Sequence, residues 1–228
     1  PRAYAPLAQR IASEDILTVI VPMPGNFALS GWDRALDIIA AFPNIERWYL
    51  GGHSMGGAMS IHFAVENPDT VKGLVLWAAY PGDGDDLSES GLPIMSIYGS
   101  HDGVVTEDEI AQGQPRLPGE TRYIAIPGGN HAQFGLYGDQ EGDLSAEIPP
   151  TDQHQQVSAA TVHFIRTIEA GDNLETQPQF SEVDNLAWCA EAQKTLAPAN
   201  VDWDGVKIEI DTYDSTVSFA ESKPSLDT

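Results

Sequence analysis

A glycine-rich turn occupies residues 51–57, with the sequence Gly51-Gly52-His53-Ser54-Met55-Gly56-Gly57. It matches the pattern G-x-S-x-G, in which a serine sits on a sharp strand-to-helix turn and acts as a nucleophile. The flanking residues supply that context, because a strand pattern at 47–50 precedes the turn and a helical pattern at 55–66 follows it. The sequence therefore predicts Ser54 as a nucleophile, and an ordinary glycine-rich turn is the alternative.

The residue types of the turn fit this chemistry. Gly52 and Gly56 leave room where the backbone crowds itself in a strained turn. The helix that follows begins beside the serine, so the N–H of Met55 is available to stabilise an oxyanion.

The first 171 residues alternate between strand-like and helical patterns. Apolar runs predict strands at 16–21, 47–50, 71–78, 93–98 and 122–126. Helical spacing predicts helices at 2–13, 30–41, 55–66 and 158–170, with a short acidic helix after Thr106. This alternation is typical of an α/β fold with a mostly parallel sheet flanked by helices on both faces, and we predict that fold.

The composition changes after Gly171, where the chain becomes acidic and its strand and helix patterns weaken. We predict a catalytic domain at 1–171 and an acidic C-terminal extension at 172–228 that packs on it. Within the extension, the pattern favours a helix at 183–196 and an edge strand at 206–210. Cys189, the only cysteine in the sequence, is predicted to be a buried apolar residue rather than a nucleophile.

The net charge excludes several classes of partner. The chain has 34 Asp and Glu residues against 11 Lys and Arg residues, which gives a formal net charge of -23. Nucleic acids and anionic membranes bind clustered cations, so we expect neither as a partner. No apolar run reaches the roughly 18 residues of a membrane span. The acidity suits a secreted protein, with a cytoplasmic one as the alternative, and leaves the oligomeric state open.

Two further residues follow later strands of the predicted sheet. A serine hydroxyl needs a base to take its proton, and in this type of fold the acid and then the histidine follow the serine. Asp102 comes just after the strand at 93–98, and His131 just after the strand at 122–126. Both lie at the carboxyl ends of parallel strands, where ligands bind, so we predict Asp102 as the orienting acid and His131 as the base.

The other histidines fit the role of base less well. His62 and His163 lie within predicted helices, where packing or surface roles are expected. His154 lies in a polar stretch that we interpret as a loop with no strand before it. His53 and His101 flank the nucleophile and the acid, so they are expected to shape the site.

The competing acids are also in less suitable positions. Asp83, Asp85 and Asp86 form a run that we interpret as a solvated loop, with a calcium site as the remote alternative. Asp108 comes one helical turn too late to be the acid. No spacing typical of metal ligands is visible, and we predict neither a metal nor an organic cofactor.

Three stretches of the sequence carry a resemblance to a known family. They are Val21-Pro22-Met23-Pro24, then Leu50-Gly51-Gly52-His53-Ser54-Met55-Gly56-Gly57, and most specifically Gly128-Gly129-Asn130-His131-Ala132-Gln133-Phe134-Gly135-Leu136-Tyr137-Gly138. They resemble the α/β-hydrolase superfamily, and within it a bacterial-type group of serine hydrolases related to dienelactone hydrolases. The resemblance spans roughly residues 1–170 and implies Ser54 as nucleophile, Asp102 as acid, His131 as base and the Met55 N–H as one oxyanion donor.

The resemblance also implies a pocket and a reaction. His53, Gln133, Phe134 and Tyr137 are expected to bind substrate, with a purely structural role as the alternative. The implied activity is the hydrolysis of a carboxylic ester through an acyl-enzyme. The short connection at 80–91 leaves little room for a lid, so we expect an open site and small or accessible esters. The alternatives are transfer of the acyl group to an alcohol, or a non-catalytic binding protein on the same fold.

The chain departs from the family pattern at its N-terminus. Members usually have several strands before the first helix, and the loop after the last of these supplies the second oxyanion donor. Here Pro1-Arg2-Ala3-Tyr4 resembles the start of the helix just beyond that loop. We therefore expect an N-terminally incomplete fold and a longer natural protein. The alternative is that residues 206–210 take the place of the missing strand.

Overall fold

The computed structural model describes residues 2–171 and the backbone of residues 216–221. Its strands are β1 (Ile16–Ile20), β2 (Trp48–His53), β3 (Gly73–Trp77), β4 (Ile94–Gly99), β5 (Arg122–Ile126) and β6 (Thr216–Glu221). They form one sheet in the order β1-β6-β2-β3-β4-β5. The four strands from β2 to β5 pair in parallel, whereas β6 runs antiparallel to both of its neighbours. The predicted mostly parallel sheet is confirmed.

Helices cover both faces of this sheet. They are α1 (Ala5–Ala12), α2 (Ala35–Ala41), α3 (Met55–Glu66), α4 (Glu107–Gly113) and α5 (Pro150–Ala170). Successive side chains of a strand point to opposite faces, so Val75 of β3 packs in a core with α1 and α5. Its neighbour Leu74 packs on the other side with α2 and α3. None of the described helices is long and apolar enough to cross a membrane.

One helix is longer than the sequence pattern predicts. We expected it to begin at residue 158, whereas α5 begins at Pro150. Proline is common in the first turn of a helix, but the residues that follow it are polar and show no apolar face. Gln153 is nevertheless fully buried, because its side-chain amide bonds both the N–H and the carbonyl of Asn130. Hydrogen bonds thus allow one polar side chain of this stretch to face the interior.

Residues 172–215 and 222–228 lie outside the described part of the chain. The predicted helix at 183–196, the predicted strand at 206–210 and the prediction for Cys189 therefore all fall outside the described residues. Within the predicted extension, β6 occupies a position between β1 and β2. The division into domains at 171 and 172 stays a prediction.

Candidate active site

The three residues predicted to act together lie at one edge of the sheet. Ser54 directly follows β2, Asp102 follows β4 and His131 follows β5. Because these strands are parallel, their carboxyl ends meet at the same edge. The structure brings Asp102 and His131 into direct contact and leaves Ser54 half-buried at the start of α3.

Ser54 has a strained backbone. Its φ of 53° and ψ of -122° lie in a region that L residues rarely adopt. The conformation is held from both sides. The Ser54 N–H donates to the carbonyl of Trp77 at 2.9 Å, and the Ser54 carbonyl accepts from the N–H of Gly57 at 3.0 Å. This sharp turn points the serine away from the strand and starts α3.

The turn is tight enough to require glycine at position 52. A Cβ added to Gly52 would lie 2.3 Å from the carbonyl carbon of Gly56, which is backbone and has no room to move. We expect Gly52→Ala to lower the free energy of unfolding by about 2 kcal/mol or more, as overpacking does. Urea unfolding followed by circular dichroism measures this. Gly119→Ala is the matched control, because nothing lies within 4 Å of its added Cβ. Equal stability of the two variants would contradict the crowding of the turn.

Asp102 and His131 form a buried hydrogen-bonded pair. Oδ2 of Asp102 lies 2.8 Å from Nδ1 of His131, and both side chains are almost completely shielded from solvent. The other oxygen of Asp102 accepts from the N–H groups of Val104 at 2.9 Å and Val105 at 2.6 Å. These bonds satisfy the carboxylate as an acceptor on both oxygens. The His131 ring is therefore oriented with its second nitrogen free for other chemistry.

That second nitrogen has no hydrogen-bond partner among the described residues. A hydrogen bond from the Ser54 hydroxyl to Nε2 of His131 is accordingly not made in this structure. Contacts of this kind are often long or poorly aligned without substrate and tighten when substrate binds. Met55 is the first residue of α3, so its N–H has no acceptor within the helix. The roles predicted for Ser54 and for the Met55 N–H stay predictions.

His53 is buried directly beside His131. The two ring centroids are 4.3 Å apart, and the ring of Phe134 stacks on His53 at a centroid distance of 5.3 Å. Nδ1 of His53 lies 2.9 Å from the hydroxyl of Tyr4. Burial and, secondarily, the nearby charge of His131 lower the pKa of His53 well below its usual value. Burial therefore disfavours the protonated form of His53.

The other residues expected to bind substrate differ in exposure. Phe134 is fully buried and belongs to the core between the sheet, α1 and α5, so packing alone accounts for it. Gln133 and Tyr137 are half-buried. Tyr137 contacts both Tyr4 and His53 through its ring, and its hydroxyl donates to Gln140 at 3.1 Å. Their contact with a substrate stays a prediction.

Two predictions about competing residues were wrong. Asp85 is not solvated but buried, and its carboxylate lies 2.9 Å from Nδ1 of His62. His154 lies in α5 rather than in a loop, and burial is the main cause that lowers its pKa. His62 and His163 lie in helices as predicted. None of these side chains approaches the Asp102–His131 pair through a hydrogen bond that the structure records.

The sequence patterns did not identify three residues that support the site. Tyr4 forms a hydrogen bond with His53. Gln153 accepts from the backbone N–H of Asn130, the residue before His131. Asp143 accepts from the backbone N–H of His131 at 3.3 Å. Gln153 and Asp143 lie in polar stretches without periodicity. Their contacts depend on how loops meet in space, and no local signal in the sequence indicates them.

A cavity of the described chain lies away from this edge of the sheet. Among the described residues, no group of three or more His, Cys, Asp or Glu side chains could hold a metal ion. A cavity of about 560 Å³ lies between the end of α3 and residues 86–93. It borders the amino ends of β3 and β4, which is the edge opposite to Ser54.

Solved structures with a similar fold include hydrolases and an esterase domain. A predicted CIB-like hydrolase from Thermoplasma acidophilum is 21% identical with a TM-score of 0.47, and the match covers 61% of this chain and 59% of that one. A protein of unknown function from Agrobacterium tumefaciens is 18% identical with a TM-score of 0.47, over 66% of this chain and 63% of that one. The chain thus spans less than two thirds of either protein.

The esterase domain of a Rhodothermus marinus protein is 13% identical with a TM-score of 0.52, over 72% of this chain and 80% of that one. At such identity the likeness concerns the fold alone. Curated proteins gave no match to the chain. The sequence profile of the alpha/beta hydrolase family matches residues 1–156, which include the Ser54 turn, Asp102 and His131. With its parallel sheet covered by helices on both faces, the chain belongs to the alpha/beta hydrolase family.

Proposed function

We propose that this protein is a serine esterase that cleaves small, uncharged carboxylic esters. The observation that carries the proposal is the buried 2.8 Å hydrogen bond between Asp102 and His131 at the sheet edge where Ser54 begins α3. A carboxylate on Nδ1 favours the tautomer in which Nδ1 carries the proton and Nε2 accepts one. An imidazole held in this state is a general base for a nearby hydroxyl.

The reaction proceeds in two halves. Nε2 of His131 takes the Ser54 proton while the serine oxygen attacks the ester carbonyl, and Asp102 stabilises the imidazolium. The Met55 N–H donates to the oxyanion of the tetrahedral intermediate. The imidazolium then gives its proton to the departing alcohol, which leaves an acyl group on Ser54. Water repeats the sequence, so the acid is released and the serine and histidine are restored.

Two features support a small and accessible substrate. The connection between β3 and β4, at residues 78–93, contains no helix or strand that covers the site. Exposed apolar side chains also occur in the segments that follow the carboxyl ends of three strands. They are Phe27 (42% exposed) and Leu29 (56%) after β1, Met55 (36%) after β2, and Leu136 (51%) after β5. An apolar acyl group fits such surroundings better than a polar one.

The charge of the protein supports a neutral substrate. A net charge of -23 repels anions and lowers their local concentration near the site. We therefore expect p-nitrophenyl acetate and butyrate to be hydrolysed with higher kcat/KM than the anionic p-nitrophenyl monosuccinate. The difference narrows when the ionic strength rises from 0.01 M to 1 M, because the Debye length falls from about 30 Å to about 3 Å.

The test measures hydrolysis of these three esters by the full chain, together with labelling of Ser54 by a fluorophosphonate. Product analysis in the presence of added alcohol separates hydrolysis from acyl transfer. Hydrolysis with Ser54 labelling supports the proposal. Transfer to the alcohol as the main product overturns hydrolysis, and a folded chain that is inert and unlabelled overturns the serine mechanism altogether.

A further inference from the structure

Residues 139–149, which we name the strap, connect the His131 segment to α5 without forming a helix or strand. Asp143 lies near the middle of the strap and directs its carboxylate at backbone N–H groups. Oδ1 accepts from Gly103 at 3.0 Å and from His131 at 3.3 Å, and Oδ2 accepts from Ala132 at 2.8 Å. Oδ1 also accepts from the N–H of Leu144 at 2.9 Å.

The three donors outside the strap belong to two different loops. Gly103 is the neighbour of Asp102 in the loop after β4, whereas His131 and Ala132 belong to the loop after β5. One oxygen of Asp143 therefore bonds both the loop that carries the proposed acid and the loop that carries the proposed base. Hydrogen bonds to an ionised carboxylate are roughly twice as strong as those between neutral groups, so Asp143 connects the two loops strongly.

The strap itself is held against both loops. A Cβ on Gly103 would lie 2.5 Å from the carbonyl oxygen of Gly142, so the two backbones are in close contact. The side-chain amide of Asn130 donates to the carbonyl of Leu144 at 2.7 Å. The N–H of Glu147 donates to the carbonyl of Gly128 at 2.7 Å. These contacts hold the strap on both sides of Asp143 against the two loops.

We propose that Asp143 is a positioning residue for the Asp102–His131 pair, which it aligns by tying their loops to one carboxylate. The proposal rests on the proposed function for its catalytic consequence, but the alignment itself is a property of the two loops. Loss of the carboxylate leaves the N–H groups of Gly103, His131 and Ala132 without their acceptor. The loops then separate or rotate, and a misplacement of about 1 Å in a catalytic group can cost about a hundredfold in rate.

The experiment compares Asp143→Ala, Asp143→Asn and Asp139→Asn. Asp139 is the matched control, because it lies exposed in the same strap, carries the same charge and makes no hydrogen bond that the structure records. We expect Asp143→Ala to lower kcat for p-nitrophenyl butyrate by about a hundredfold while KM changes by less than about threefold. Asp143→Asn keeps one acceptor oxygen, so its kcat falls between those of the alanine variant and the wild type. Asp139→Asn matches the wild type.

A second readout does not depend on esterase activity. The Nδ1 proton of His131 lies against a buried carboxylate, so we expect it to give a downfield ¹H NMR signal, which is assigned by its loss in His131→Gln. We expect Asp143→Ala to broaden or abolish this signal through faster exchange, and Asp139→Asn to retain it. Thermal unfolding shows that each variant is folded at the measuring temperature. If the alanine variant does not fold, Asp143→Asn is compared with Asp139→Asn in its place.

The two proposals fail separately. A wild type that does not hydrolyse esters overturns the proposed function, and the NMR comparison alone then decides the role of Asp143. A folded Asp143 variant with an unchanged Nδ1 signal overturns the positioning role, as does an unchanged kcat in an active enzyme. Equal losses in Asp143→Asn and Asp139→Asn also overturn it, since they would assign the effect to charge alone.

Discussion

Replacing Ser54 by alanine is expected to lower kcat for ester hydrolysis by at least about 10⁴-fold and to abolish fluorophosphonate labelling. The alanine has no hydroxyl to attack the carbonyl, so only the oxyanion donor and substrate binding remain to assist water. The fold is expected to persist, because the strained turn is held by the backbone bonds of residue 54 to Trp77 and Gly57. Steady-state kinetics and mass spectrometry of the labelled protein measure both effects.

Ser13→Ala is the matched control for this loss. Ser13 is exposed at the end of α1, and its hydroxyl bonds only the carbonyl of Arg10 at 2.7 Å. It should retain full hydrolysis and full labelling. Activity that survives in a folded Ser54→Ala variant would assign the nucleophile to another residue and remove the basis of the proposed function.

The second large effect is expected for Asp102→Asn, which should lower kcat near neutral pH by about 10⁴-fold. Oδ1 of Asp102 accepts two backbone N–H groups, so the asparagine oxygen takes that position and its NH₂ faces His131. Nδ1 must then act as an acceptor, which moves the ring proton to Nε2. In that tautomer Nε2 of His131 has no lone pair to receive the Ser54 proton.

Asp108→Asn provides the comparison for Asp102. Asp108 is exposed in the first turn of α4, where removal of one charge leaves the site untouched. Its kcat is expected to equal that of the wild type within about twofold, a difference of less than 0.5 kcal/mol. If Asp102→Asn hydrolyses esters as fast as Asp108→Asn, then another acid orients the histidine or none is needed.

The parts of this site that the sequence predicts are those that follow strands. Ser54, Asp102 and His131 each lie in the short turn or loop after an apolar run, so a local pattern locates them at the carboxyl edge of the sheet. The faces of the sheet are predictable for the same reason, because Leu74 and Val75 alternate within a buried strand. From β2 to β5 each strand pairs in parallel with the next one along the chain, as consecutive strands of a sheet usually do.

The parts that escape prediction depend on contacts between loops. Asp143 bonds Gly103, which lies 40 residues away, and nothing in its own neighbourhood distinguishes it from Asp139. Gln153 is polar and yet fully buried, so the composition of residues 150–157 conceals the first turns of α5. The pairing of β6 with β1 and β2 is equally non-local, since its alternating pattern gives no partner.

The positive φ of Ser54 links thermal stability and catalytic turnover, two properties that protein engineers usually select separately. A strained conformation of this kind costs on the order of 1–3 kcal/mol in an L residue, and glycine adopts it without a clash of the Cβ. A library sorted only for resistance to heat will therefore enrich Ser54→Gly and discard the hydroxyl. Directed evolution of a more thermostable form of this protein therefore needs a screen that also selects for catalytic turnover, or a library that leaves position 54 unchanged.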